Sequence, residues 1–198
     1  MKKVYLIRHA AYSNPNNILP GRLPLPLSEE GIQQAEKLAV HLSQFSFDAI
    51  YSSQVLRAQQ TAEAIQKKQI ENQEIKFDKR ILETQTAYQG FWEPNVFEGG
   101  VHYFAHRDKL GGENLEDVQK RMISFWNEKI VESSEETIAI VSHDFCILTL
   151  LKYLKDSPLP ESNQFNENDI DYIVKSGVCE IEFDSDLKVV GITNITAL

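Results

Sequence analysis

Two arginines and two histidines sit at equivalent points of a repeating pattern in this 198-residue chain. An apolar run over residues 4–7 ends in Arg8-His9. A second run, 48–52, leads into Ser53 and then Arg57. A third, 137–142, ends in His143. Guanidinium forks match phosphate oxygens two at a time and stay charged. Imidazole can accept a phosphoryl group or move a proton. A donor for a leaving alkoxide would complete the set, and Glu83, just after Arg80-Ile81-Leu82, is the candidate by order along the chain. A metal centre is the other obvious use of two histidines. The chain lacks H-x-x-E-H and H-E-x-x-H, however, and neighbouring arginines would repel a cation. Taken singly, each residue also has an ordinary reading, as a satisfied polar group at a strand end or a surface cation. The conjunction carries the argument.

The conjunction needs a scaffold that brings the three run ends together. Short apolar runs without polar alternation read as parallel strands buried on both faces. Helical spacing separates them. Ser28 can cap a helix with Glu29 and Glu30 in its first turn and Ile32, Ala35, Leu38, Ala39, Leu42 and Phe45 on its apolar face. A second helix follows Ser53 with Val55, Ala58, Ala62 and Ile65. A third spans about 115–132 through Val118, Met122 and Phe125, and a fourth starts near His143 with Leu148, Leu151 and Leu154. This alternation predicts a three-layer α/β sandwich with a mostly parallel central sheet and helices on both faces. Cys179, Ile181 and Phe183 alternate with acidic residues before Asp184-Ser185-Asp186, which predicts a C-terminal hairpin at the sheet edge. In such sheets ligands bind beyond the carboxyl ends of the strands, where Arg8, His9, Arg57 and His143 fall.

Two stretches are not elements. Residues 14–26 hold Pro15, Pro20, Gly21, Pro24 and Pro26 and read as an ordered loop. Residues 84–112 carry Tyr88, Phe91, Trp92, Phe97, Tyr103 and Phe104 and read as a lid over the site. The length fits one domain, 1–198. Composition is that of an ordinary globular chain, 42% hydrophobic and 25% charged. No apolar run reaches the roughly 20 residues of a membrane span, the start is too short for a signal-peptide core, and a cytoplasmic location is expected. Cys146 and Cys179 form no CxxC. A net charge of −9 argues against nucleic acid or an anionic membrane as partner. A homodimer is admitted but not dictated.

The motifs, in order, resemble those of the histidine phosphatase superfamily, also called phosphoglycerate-mutase-like. Leu6-Ile7-Arg8-His9-Ala10 stands where the family has a strand ending R-H-G. Leu27-Ser28 to Gln34-Ala35 matches L-[ST]-x-x-G-x-x-Q-A, and Ser52-Ser53 through Arg57-Ala58 to Thr61-Ala62 matches S-S-x-x-x-R-A-x-x-T-A. Ile81-Leu82-Glu83, Gly112-Glu113-Asn114 and Val141-Ser142-His143-Asp144 follow. The resemblance implies that His9 forms a phosphohistidine, that Arg8, Arg57 and His143 hold the phosphoryl oxygens, and that Glu83 protonates the leaving oxygen, with no metal or other cofactor. It assigns Asn14 to phosphate contact. Three departures stand out. Ala10 replaces a glycine. Asp144 replaces another, and reads either as a cap on the following helix or as a substrate contact. Glu83 lies unusually far from Gly90, which makes Glu93 the reserve acid.

The lid segment holds Glu93, Glu98 and Asp108 against Arg107 and Lys109, which is no trap for a bisphosphorylated intermediate. The expected activity is therefore hydrolysis of a small phosphorylated metabolite. Two alternatives are a phosphoglycerate-mutase-type phosphotransferase and a non-catalytic binder of phospho-ligands.

Overall fold

A computed structural model describes residues 1–71, 73–93, 106–160 and 169–195. Six strands form one sheet: β1 (Lys3–Arg8), β2 (Ala49–Ser52), β3 (Ile75–Phe77), β4 (Thr137–Ser142), β5 (Val178–Phe183) and β6 (Val189–Ile195), in the order β3-β2-β4-β1-β5-β6. The first four run parallel, β5 lies antiparallel to β1, and β6 returns along β5. The main helices are α1 (Glu29–Leu42), α2 (Leu56–Gln66), α3 (Leu115–Trp126) and α4 (Asp144–Leu154). A π-helical turn, Asn127–Val131, extends α3. The expected sandwich with its terminal hairpin is present. Among the described residues no helix is long and apolar enough to cross a membrane.

Successive side chains of a strand serve opposite layers. Tyr5 and Ile7 of β1 pack with Ile50, Ala139 and Val141 beneath Leu38 and Leu42 of α1 and Ala58 and Ile65 of α2. Val4 and Leu6 pack with Ile138 and Ile140 against Met122 and Phe125 of α3 and Leu150 and Leu151 of α4. Both faces are covered, which is why the runs show no polar alternation. The hairpin is different. Cys179, Ile181 and Phe183 enter the α3–α4 layer, while Glu180 and Glu182 point away and share the Lys3 ammonium, each at 2.7 Å.

Ser28 caps α1 by accepting from the Gly31 N–H at 3.0 Å, and Asn114 and Asp117 close a reciprocal capping box on α3. The expected face of α1 is corrected at one position: Ile32 is half exposed. The buried stripe instead runs Gly31, Ala35, Leu38, Ala39, Leu42. Glycine leads it because α1 presses onto the chain following β1. Phe45 lies beyond the helix end and packs on Tyr5, ring centroids 4.8 Å apart. Strand β3 was not anticipated. It is three residues long, with Lys76 and Phe77 exposed, too short and too open at the sheet edge to leave a periodic signal.

The 14–26 loop and the start of the expected lid are zipped together. The Leu19 N–H donates to Phe91 O and the Gly90 N–H to Leu19 O, both at 2.9 Å, and Ile18 bridges Trp92. Phe97, Tyr103 and Phe104 lie outside the described residues. At Gly31 a Cβ would sit 1.7 Å from the Ala11 carbonyl oxygen. Gly31→Ala is expected to cost about 3 kcal/mol and lower the melting temperature by roughly 10 °C. Calorimetry checks this; an unchanged transition would mean that α1 does not rest on Ala11.

Candidate active site

The carboxyl ends of the adjacent strands β1, β4 and β2 deliver Arg8 and His9, His143, and Ser52 and Ser53, and the first turn of α2 brings Arg57. Pairing sets their height, because Arg8 is in register with Ser142 and Ser52 with Val141. All of them are buried, as is Glu83. The expected convergence of His9, Arg57, Glu83 and His143 is present in space.

Arg57 is the hub, fully buried. Its Nε–H donates to His9 Nε2 at 3.0 Å, and Nη2 donates to Glu83 Oε2 at 3.1 Å and to the Gly21 carbonyl at 2.9 Å, with His143 Nδ1 at 3.4 Å. The second nitrogen of His9, Nδ1, lies 2.8 Å from the Ala10 carbonyl. A carbonyl only accepts, so the proton sits on Nδ1 and the lone pair on Nε2. The rings of His9 and His143 lie 5.0 Å apart. Burial, then His143 and Arg57 nearby, hold the His9 imidazole well below its usual pKa. Burial followed by Arg57 does the same for His143. Both are neutral at pH 7.

His143 Nε2 is 2.8 Å from Ser53 Oγ, and its Nδ1 is 3.2 Å from Glu83 Oε2. The other oxygen of Glu83 accepts from the Thr84 N–H at 2.8 Å. A hydroxyl at one end and a carboxyl group at the other let the His143 ring take either neutral tautomer. A proton can therefore sit on Glu83 or on His143 Nδ1 without breaking the chain of hydrogen bonds. Arg22, from the 14–26 loop, holds the backbone of Glu83 through Nε–H to its carbonyl at 2.7 Å, and is itself held by Glu113 at 3.0 Å.

Arg8 is held differently. Its Nη2 pairs with Asp144 Oδ2 at 2.6 Å, and Nη1 donates to Tyr172 Oη at 2.5 Å and to the Ile173 carbonyl at 3.0 Å. Asp144 is the first residue of α4, and His143 takes the capping position. Asp144 Oδ1 accepts the Phe145 N–H in the first turn of α4 at 2.8 Å, in line with the expected service to the helix start, and its Oδ2 is the counter-ion of Arg8, a role that neither reading of the sequence contained. Two of the site's buried donors, Arg8 Nε and Arg57 Nη1, have no hydrogen-bond partner among the described residues.

Asn14 is not joined to this cluster. Its amide closes its own loop, Nδ2 donating to Ile18 O at 2.8 Å and Oδ1 accepting from the Ile18 N–H at 3.1 Å. One Nδ2 hydrogen remains for an anion. Glu93 is half-buried, and none of the described contacts links its carboxylate to His9, Arg57 or His143. The methyl of Ala10 is absorbed by packing against Leu27 and Ala35, while its N–H donates to Thr61 Oγ1 at 3.1 Å. Sequence reasoning missed Tyr12, Tyr172 and Lys175. The Tyr12 ring stands edge-on to His9 at 5.7 Å and lies 5.0 Å from the Arg57 guanidinium. Tyr172 and Lys175 come from a segment without a motif.

His9, Glu83 and His143 could offer ligand atoms within 4.8 Å of one another to a metal ion. The Arg57 guanidinium already lies against all three, so a cation entering there would meet a fixed positive charge. The arrangement suits an anion instead: a neutral nucleophilic nitrogen, two unspent guanidinium donors and a carboxyl group able to carry a proton.

Comparison with known proteins agrees with this chemistry. Phosphoserine phosphatase 1 of Hydrogenobacter thermophilus is 33% identical over 155 residues, 72% of this chain and 71% of that one. A mycobacterial glucosyl-3-phosphoglycerate phosphatase superimposes with a TM-score of 0.76 at 19% identity, covering 99% of this chain and 98% of that one. A phosphoserine phosphatase from Entamoeba histolytica does so at 0.73 and 22%, covering 99% and 98%. Residues 4–188 match the histidine phosphatase superfamily (branch 1). With that match and this cluster of side chains, the chain belongs to the phosphatase branch of the histidine phosphatase superfamily and is a hydrolase of the phosphoglycerate-mutase-like type.

Proposed function

We propose that the protein hydrolyses the phosphomonoester of a small metabolite through a phosphohistidine at His9. The observation that carries this reading is the pair of orphaned donors, Arg8 Nε and Arg57 Nη1, beside an unprotonated His9 Nε2. A buried N–H left unpaired costs about 1–3 kcal/mol, and phosphoryl oxygens would satisfy both.

On binding, the Arg57 Nε–H moves from His9 Nε2 to a phosphoryl oxygen, which frees the lone pair. Nε2 then bonds to phosphorus as the ester P–O bond breaks, and Glu83 gives its proton to the departing oxygen. Arg8, Arg57 and His143 stabilise the charge on the equatorial oxygens. Water next attacks the phosphohistidine, losing a proton to Glu83, and the P–N bond breaks to release inorganic phosphate and the original imidazole. Asp144 holds Arg8 in place, and a phosphate contact is assigned to the one remaining Asn14 hydrogen. The relatives named as phosphoserine and glucosyl-3-phosphoglycerate phosphatases support a small substrate, and the net charge of −9 opposes a polyanionic one.

With labelled substrate and a neutral or alkaline quench, label is expected on His9. Hydrolysis of p-nitrophenyl phosphate should persist in chelator and fall at least about 10³-fold in His9→Ala. Turnover unaffected by that change would refute the nucleophile. Glu83→Gln should lower kcat/KM for an alkyl phosphate by about 10²-fold or more. The loss should be much smaller for p-nitrophenyl phosphate, whose leaving group needs no proton; equal losses would remove Glu83 as the acid.

His9 and His143 are uncharged in the fold but regain an ordinary pKa of about 6.5 on unfolding. Below that pH the unfolded chain binds more protons. The stability held above pH 6.5 is therefore lost as pH falls toward the depressed values, by about 1.4 kcal/mol per pH unit for each histidine. Urea titrations between pH 6.5 and 5.5, where an unfolded histidine is only partly protonated, should show this slope reduced by about 1 kcal/mol per unit in His9→Asn. An unaltered slope would mean that His9 is not buried neutral.

A further inference from the structure

The segment 169–177 forms one wall of the site. Lys152 pairs with Asp169 and Asp171, each at 3.0 Å, and Lys155 also pairs with Asp171, which ties the segment to the end of α4. Its last residues make a tight turn, with the Gly177 N–H donating to Val174 O at 2.9 Å. Lys175 and Ser176 occupy the two central positions, and Ser176 takes a left-handed φ of 60°, uncommon for a residue with a Cβ. A Cβ on Gly177 would lie 2.5 Å from Ile173 Cγ2, so the turn also demands its glycine. The turn is bonded to the strand that carries the nucleophile: the Ser176 N–H donates to His9 O at 3.3 Å, and the Arg8 N–H to Gly177 O at 3.1 Å.

A constrained turn thus presents one exposed lysine beside a phosphoryl site. The Lys175 ammonium lies 4.9 Å from the centroid of Tyr12, the same ring that stands 5.7 Å from His9 and 5.0 Å from Arg57. The arginines around it are all matched, Arg8 by Asp144, Arg57 by Glu83 and Arg22 by Glu113. Lys175 has no carboxylate partner among the described residues. An exposed ammonium on an aromatic face gains little by itself, yet the two residues that follow it are bonded directly to Arg8 and His9.

The geometry points to Lys175 as a specificity-determining residue that binds a carboxylate on the substrate, with the Tyr12 ring as its platform. The class is a phosphomonoester of a hydroxy or amino acid. A second phosphate fits less well. It would bring a double charge to a single ammonium, at a mouth where the Asp144 carboxylate is 20% exposed. The inference rests on the phosphatase reading above, and the test separates the two.

O-phosphoserine and O-phosphoethanolamine differ only in the carboxylate. The wild-type protein is expected to favour O-phosphoserine roughly tenfold in kcat/KM, chiefly through KM. Lys175→Ala should bring the ratio close to one, and Lys175→Arg should restore it. The same ratio should appear in the dissociation constants of the two esters for His9→Ala, measured by calorimetry, where no turnover is needed. A ratio near one in the wild-type protein, or a ratio that Lys175→Ala leaves unchanged, overturns the assignment. Absence of turnover with the binding ratio intact would count against the phosphatase and leave Lys175 assigned.

Discussion

A guanidinium that water cannot reach has to be surrounded by acceptors, and in this protein the acceptors of Arg57 are the chemistry. Removing a charge from water is costly and is repaid only by close, well-aligned partners. Arg57 finds an imidazole nitrogen, a carboxylate and a loop carbonyl within 3.1 Å. Each partner belongs to a different part of the chain: His9 ends β1, Glu83 follows β3, and Gly21 sits in the proline-rich loop. Stabilising the buried cation therefore assembles the site. The same cation disfavours protonation of the two histidines beside it, which leaves the His9 lone pair available near neutral pH.

Arg8 shows the complementary arrangement. It too is buried, but both terminal nitrogens are engaged by Asp144, Tyr172 and Ile173, and Nε is the nitrogen without a partner among the described residues. Asp144 opens α4 just beyond Ser142, the register partner of Arg8, and Tyr172 arrives on the wall held by Lys152 and Lys155. The segment 169–177 is thereby part of the site. One strand tip carries nucleophile and cation together, while helix α4 and the wall supply their surroundings.

Much of this was legible in the sequence, for identifiable reasons. Strands covered on both faces leave unbroken apolar runs, and a parallel sheet places the residue after each run at one edge. Arg8, His9 and His143 could be set side by side on that ground alone. Arg57 followed because it lies one turn into a helix begun at the same edge. Glu83 follows no long strand, and order along the chain was the only guide to it. The partnership of Arg8 with Asp144 could not be read, because it depends on the register between β1 and β4. Tyr172 and Lys175 lie in a stretch with neither periodicity nor motif, positioned by ion pairs to α4. Ile32 went astray because hydrophobicity suggested a buried face, whereas a glycine, silent on any such scale, marks where α1 makes its closest approach.

The central claim is geometric: one phosphoryl group is held at once by the nucleophile on β1, the guanidinium on α2 and the unspent nitrogen of Arg8. A crystal structure with orthovanadate tests it most directly. The account requires a five-coordinate vanadium bonded to His9 Nε2, with Arg57 Nη1 and Arg8 Nε within hydrogen-bonding distance of its oxygens and Glu83 facing the apical oxygen opposite the imidazole. Vanadate bound away from His9, or bonded to it with either guanidinium donor turned aside, would contradict it.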